Sequence, residues 1–303
     1  YTFKGEGVET WEPKFTFHGF RYVEVNGYPG PITRGLITGV VLHSDMAPTG
    51  AFTCSDPLLN QLQHNITWGQ KGNFLDVPTD CPQRDERLGW TGDAQVFSRT
   101  AAFNMDVAGF FTKWLGDVAA DQSREGSVPF VVPDVLSQDG KFSGGSAAWA
   151  DAATIIPWNV YLAYGDARLL ERQYPSMKAW VEYMRREAGE KNLWTTGFHF
   201  GDWLAFATTA SDYPGATTSK DLVATAFYAH ATDLVARSAR VLGKAEDAAK
   251  YARQLEQIKA AFVHEFVTPA GRVGEATQTA YVLALQFDLL PEAMRANAAG
   301  RLA

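Results

Sequence analysis

The first 46 residues have the pattern of β-structure. Aromatic and β-branched residues dominate positions 14–25, a Gly27-Tyr28-Pro29-Gly30 turn follows, and 36–42 is a second predicted strand. Together they read as the end of a β-sandwich. Near residue 50 the period changes. Ser55-Asp56-Pro57 is a helix start, with a capping side chain and a proline in the first turn. Leu58, Leu59, Leu62 and Ile66 then recur at helical spacing. Beyond this point the pattern predicts helices over 57–72, 92–104, 106–122, 150–164, 166–188, 219–242, 244–266, 276–288 and 291–303. The chain divides on this reading into residues 1–50, the C-terminal part of a β-sandwich domain, and residues 51–303, a helical domain.

The helices alternate in character. The stretch from Glu246 to Glu265 is charged and amphipathic, whereas Ala147 to Ala163 and Thr277 to Leu290 are apolar and rich in small residues. Outer amphipathic helices alternating with inner helices buried on both sides predict an α/α toroid. Without an exact repeat, a solenoid of identical units is disfavoured. Three loops, 73–91, 123–148 and 190–218, exceed what a connector needs, and long ordered loops in compact domains tend to carry function.

Composition narrows the function classes. The 303 residues carry 27 Lys and Arg against 34 Asp and Glu, a net charge of −7, which is a poor match for phosphate backbones and disfavours nucleic acid as a partner. No apolar run reaches the roughly 20 residues of a membrane span, so no membrane partner is expected. Cys54 and Cys81 make neither a disulfide scaffold nor a CxxC zinc site. The six histidines show no metal-ligand spacing and the D-x-D-x-D-G calcium pattern is absent, so neither metal nor cofactor is expected. Aromatics reach 13%, a content that suits sugar faces but also fills ordinary cores.

Candidate chemistry concentrates in the first long loop. Asp80, Asp85, Glu86 and Asp93 lie within fourteen positions, among prolines and glycines, with Arg84 and Arg87 able to pin carboxylates and Trp90 able to cover a sugar ring. A general acid needs one carboxyl that keeps its proton beside others that stay ionised, and such a cluster can supply both. Surface ion pairs and helix caps explain acidic loops equally well. Asp93 stands in a first helical turn, where the helix dipole alone favours an acid. From the residues alone both readings stay open.

The run Thr79-Asp80-Cys81-Pro82-Gln83-Arg84-Asp85-Glu86-Arg87-Leu88-Gly89-Trp90-Thr91-Gly92-Asp93-Ala94-Gln95 closely resembles the central motif of the bacterial α-L-rhamnosidases, inverting glycoside hydrolases with an (α/α)6 barrel. Phe15-Thr16-Phe17-His18-Gly19-Phe20-Arg21-Tyr22 resembles the β-sandwich strand that precedes that barrel. Trp149-Ala150-Asp151-Ala152-Ala153 and Gly201-Asp202-Trp203-Leu204 resemble two further family motifs. The resemblance implies a mainly α fold, an (α/α)6 toroid incomplete at its C-terminus and preceded by the end of a β-sandwich domain. It implies hydrolysis of terminal α-L-rhamnosides, with rhamnose-containing glycosides or polysaccharides as partners. It makes Glu86 the general acid and places Asp80, Arg84, Trp90, Asp93, Trp149 and Trp203 on the substrate. Arg84 and Asp80 are expected to clamp the sugar together, and Asp85 to be a structural partner of Arg87. No match to the glutamate that serves as the family's general base stands before Ala303, with Asp151 and Glu275 out of context as substitutes. Nine barrel helices are counted where twelve are required, so the chain is expected to be cut at both ends. Another (α/α)6 carbohydrate-active enzyme, or a non-catalytic sugar-binding module, would share the aromatics and the acidic loop.

Overall fold

A computed structural model describes residues 1–206, 215–274 and 277–302. The helices, in order, are α1 (Pro57–Asn73), α2 (Thr91–Asn104), α3 (Ala108–Asp121), α4 (Ala152–Tyr164), α5 (Ala167–Ala188), α6 (Lys220–Val241), α7 (Ala245–Phe266), α8 (Gln278–Gln286) and α9 (Glu292–Leu302). Each predicted helix is present. Local signals set several of the ends. Asp56, Asp166, Ser219 and Thr277 cap α1, α5, α6 and α8 by accepting from backbone amides within the first turn. Gly165 closes α4 in the left-handed conformation.

The helices stack in two rows. Helix α2 packs on α4, α4 on α6 and α6 on α8, which makes an inner row. Against it lie α3, α5, α7 and α9. Burial separates the rows as the patterning predicts. Helix α6 buries residues around its whole circumference, among them Leu222, Ala224, Tyr228, Ala231 and Val235. Helix α7, of the same 22-residue length, buries Ala248, Tyr251, Gln254, Ile258 and Phe262, a single stripe at intervals of three and four. The alanines of α6 let α7 lie close along it, and burying a side chain such as Phe262 contributes about 1.5–3 kcal/mol. No helix among the described residues is long and apolar enough to cross a membrane.

The amino-terminal segment corrects the strand expectation. No paired strand forms within residues 1–47, and Phe15 and Tyr22 are exposed. A β-strand is stable only when a neighbour takes its backbone bonds in series; here 14–25 has a single such bond, from Gly19 N to Pro82 O, and 36–42 a turn bond from Leu36 N to Thr33 O, among the described residues. Residues 44–49 are instead stitched onto the helical domain: Ser44 N donates to Phe74 O, Asp106 N to Ala47 O and Thr49 N to Asn104 O. The apolar stripe of α1 is also solvent-facing at Leu58, Leu59 and Leu62.

Candidate active site

The loop between α1 and α2 begins as a minimal hairpin, β1 (Phe74–Leu75) against β2 (Val77–Pro78). Asp80 then closes a lobe. Its amide donates to Leu88 O at 3.0 Å, and its Oδ1 accepts from Leu88 N at 3.2 Å. Everything from Cys81 to Arg87 therefore projects as one unit. Within it, Glu86 Oε1 accepts from Trp90 Nε1 at 2.8 Å, while Oε2 pairs with Arg84 at 2.7 Å. Side-chain atoms of Asp80, Cys81 and Glu86 lie within 4.8 Å of one another. Burial, then the neighbouring Asp80, pushes the Cys81 thiol up to about 11.

Asp80 and Asp93 line a cleft of about 320 Å³ bounded by Gln70 and Asn73 of α1 and by Phe97 of α2. Glu86 is not among its lining residues and faces Trp90, so Asp80 is common to both groups. Asp93 is exposed as a residue, with its carboxyl group partly buried against the protein. That burial, then the charges of Asp80 and Glu86, raises its carboxyl above the usual aspartate range.

The aromatic side of the site is organised by one ring. Phe200 meets Trp149 at 4.4 Å between centroids, Phe130 at 5.1 Å, Trp203 at 5.6 Å and Trp90 at 6.0 Å, mostly edge to face. Trp90 and Trp149 are half-buried and Trp203 is exposed, unlike the fully buried Trp114, Trp180 and Trp194 of the core. Strand-like pairing joins the loops that carry these rings: Trp90 bridges Val131, and Thr91 N donates to Phe130 O at 2.9 Å. Trp149 lies flat against Gly92, where a Cβ would stand 2.7 Å from the indole. Gly92→Ala is therefore expected to push Trp149 off Phe200, to cost about 1–3 kcal/mol as an overpacked contact, and to shift tryptophan emission. Unchanged emission and an unchanged denaturant midpoint would show that the contact is slack.

Buried polar groups fix the two later motifs. Asp202 accepts from the amides of Thr217 and Thr218 at 2.8 and 3.1 Å and from both hydroxyls, and Thr218 Oγ1 meets Thr277 Oγ1 at 2.6 Å. Burial opposes the Asp202 carboxylate, but the bonds from Thr218 and Thr217 outweigh it and hold it below the usual range. Asp151 is fully buried and accepts from Trp180 Nε1 at 2.9 Å and Ala148 N at 2.7 Å. His199 accepts from Ala147 N at Nδ1, so its proton sits on Nε2, which donates to Thr196 O. Burial lowers its pKa, in keeping with a neutral ring.

The structure thus brings together Asp80, Glu86 and Asp93 on the acidic side, and Trp90, Trp149 and Trp203 on the aromatic side. Trp90 joins the two through its bond to Glu86. The Arg84 guanidinium pairs with Glu86 in the closed lobe. Asp85 pairs with Arg87 at 3.7 Å, as expected. Asp151 is committed to structural bonds, and Glu275 lies outside the described residues. Sequence reasoning missed Phe200, Phe130 and Phe198. The Phe198-His199-Phe200 alternation beside Gly201-Asp202-Trp203 was the available signal.

Known proteins resemble this chain over its whole length. Residues 47–303 match the model of the bacterial alpha-L-rhamnosidase six-hairpin glycosidase domain, and residues 1–43 that of the bacterial alpha-L-rhamnosidase concanavalin-like domain. An alpha-L-rhamnosidase of Streptomyces avermitilis is 47% identical over 302 residues, all of this chain and 28% of that protein. One from Formosa agariphila is 47% identical over 301 residues, 98% of this chain and 32% of that protein. The chain therefore spans less than a third of these curated relatives. Among solved structures, the S. avermitilis alpha-L-rhamnosidase complexed with L-rhamnose superimposes with a TM-score of 0.91, at 47% identity, over 100% of this chain and 28% of that one. The native enzyme of Aspergillus terreus gives 0.92 at 43% identity, over 98% of this chain and 35% of that one. With a paired-row helical fold, the acidic loop and a family match over 257 of its residues (47 to 303), the chain belongs to the bacterial α-L-rhamnosidase family of six-hairpin glycosidases.

Proposed function

We propose that this chain supplies the acid side of an inverting glycoside hydrolase site that removes terminal α-L-rhamnose from glycosides or polysaccharides. The observation that carries the reading is Glu86, held beside Asp80 by the Nε1 of Trp90, whose ring in turn packs on Phe200. Rhamnose presents ring hydroxyls on one side and a methyl group and C–H bonds on another. Carboxylates such as Asp80 and Asp93 can accept from the hydroxyls, and the rings of Trp90, Trp149 and Trp203 can cover the apolar surface. Glu86 would protonate the departing oxygen. An inverting enzyme sets its base about 6.5–9.5 Å from the acid, leaving room for a water. Arg84 is 63% exposed at its side chain, and an ion pair so open to water contributes little. Its fork can turn to a sugar hydroxyl at small cost. In this proposal residues 1–50 belong to a β-sandwich domain and 51–303 to the barrel.

The test is the anomer first released when the intact protein acts on an aryl α-L-rhamnoside, followed by proton NMR before mutarotation. The β-anomer is expected. The α-anomer would overturn inversion, an unsaturated product would indicate a lyase, and binding without turnover would indicate a sugar-binding module.

A further inference from the structure

One segment remains outside the function described so far, the stretch Phe15 to Tyr22. It does not form a paired strand, yet three of its residues reach the lobe that carries Glu86. Gly19 N donates to Pro82 O at 3.0 Å. The backbones approach so closely there that a Cβ on Gly19 would stand 2.9 Å from Gln83 Cα and 3.0 Å from its nitrogen. His18 Nδ1 lies 3.4 Å from the Arg87 guanidinium, and Phe17 presents its ring to the same group at 5.6 Å. Arg87, adjacent to Glu86, has a φ of +56°, a left-handed conformation that a long side chain adopts only where its surroundings hold it. On the lobe side, Asp85 is the other partner of Arg87 and is itself fully exposed.

We propose that Phe17-His18-Gly19 is a positioning strap for the acid-bearing lobe, gripping it at Pro82 and Gln83 on one flank of Glu86 and at Arg87 on the other. The lobe is closed at its base by the two bonds between Asp80 and Leu88, with Trp90 holding the Glu86 side chain, and the strap supplies a further fixed edge for its backbone. The proposal rests on the reading of Glu86 as proton donor for its catalytic consequence, but not for its structural one. A lobe held at both flanks keeps the Glu86 oxygen in register with the leaving group. A lobe held only at its base lets that oxygen wander, which costs most where protonation is most needed.

The experiment is hydrogen exchange by mass spectrometry on the intact protein, paired with turnover. Gly19→Ala, which forces Gln83 away, and Phe17→Leu, which keeps the apolar bulk but removes the π face, should each raise exchange across residues 80–88 about tenfold. Exchange in α5 and α6 should stay unchanged. Phe17→Trp, which restores a ring for Arg87, should return exchange to the parent rate. The same two weakening variants should lower kcat on rhamnosides with poor leaving groups by tenfold or more, with KM and the rate on activated aryl rhamnosides within twofold. Exchange within twofold of the parent in both variants would overturn the strap. Faster exchange with equal losses on both substrate types would overturn its positioning role. A parent protein that hydrolyses no rhamnoside would refute the functional reading, while exchange would still decide whether the strap holds the lobe.

Discussion

Glu86→Gln in the intact enzyme is expected to lower turnover of natural rhamnose disaccharides by about 10²–10⁴-fold, the range lost with a positioned general acid. The amide keeps the size of the carboxyl and can still accept from Trp90 Nε1 through its oxygen, so the 2.8 Å bond that orients the side chain survives. What disappears is the transferable proton. A sugar alkoxide is a poor leaving group and depends on that proton, whereas a nitrophenolate departs nearly unaided. The loss on activated aryl rhamnosides should therefore be far smaller, and the ratio of the two losses is the diagnostic quantity. Equal losses would leave Glu86 a positioning role only. The ion pair with Arg84 adds a control: Arg84→Ala removes the guanidinium but not the donor, so it should act through KM more than through the leaving-group dependence.

The second large effect is on stability. Asp151→Ala strips the acceptor from Trp180 Nε1 and Ala148 N, one donor fully buried and the other half-buried. An orphaned buried donor costs about 1–3 kcal/mol, so a loss of about 3 kcal/mol is expected, seen as a fall of roughly 5 °C in the thermal midpoint. Asp151 also carries a pH signature. Burial, opposed by the bonds from Trp180 and Ala148, raises its pKa to about 7. The native protein thus keeps a proton that the unfolded chain releases near pH 4. That contribution to stability is complete below about pH 4 and is lost as pH rises toward 7, by at most roughly 4 kcal/mol for a shift of about three units. Asp151→Asn cannot titrate, so its urea midpoint should fall less than the parent's between pH 5 and 7. Parallel profiles would assign the slope to other groups.

How far the sequence carried differs by the range of the interactions involved. Helix ends were legible because caps and periods are local: Asp56-Pro57 begins α1, and the predicted 244–266 is observed as Ala245–Phe266. The strands at 14–25 and 36–42 were not, since pairing depends on a partner that composition does not reveal. The acidic half of the site was legible because Asp80, Glu86 and Asp93 are nearly contiguous. The ion pair of Arg84 with Glu86 was not legible, because it depends on how the lobe turns between positions 84 and 87. The aromatic half was only partly legible. Its organiser, Phe200, draws on rings from four separate stretches, and the local Phe198-His199-Phe200 alternation marks the segment without showing which ring is the hub.

That hub bears on how such a site can diverge. Each of Trp90, Trp149 and Trp203 leans on Phe200, so replacing one wall residue changes the seating of the others, and substitutions in contact are not additive. A lineage cannot reshape this aromatic wall one position at a time without passing through poorly packed intermediates. Change at Phe200 is constrained by three tryptophans at once, whereas exposed Trp203, at the rim, is the freest to vary. Epistasis among these four rings follows from the packing, and specificity here should evolve in correlated blocks, beginning at the rim.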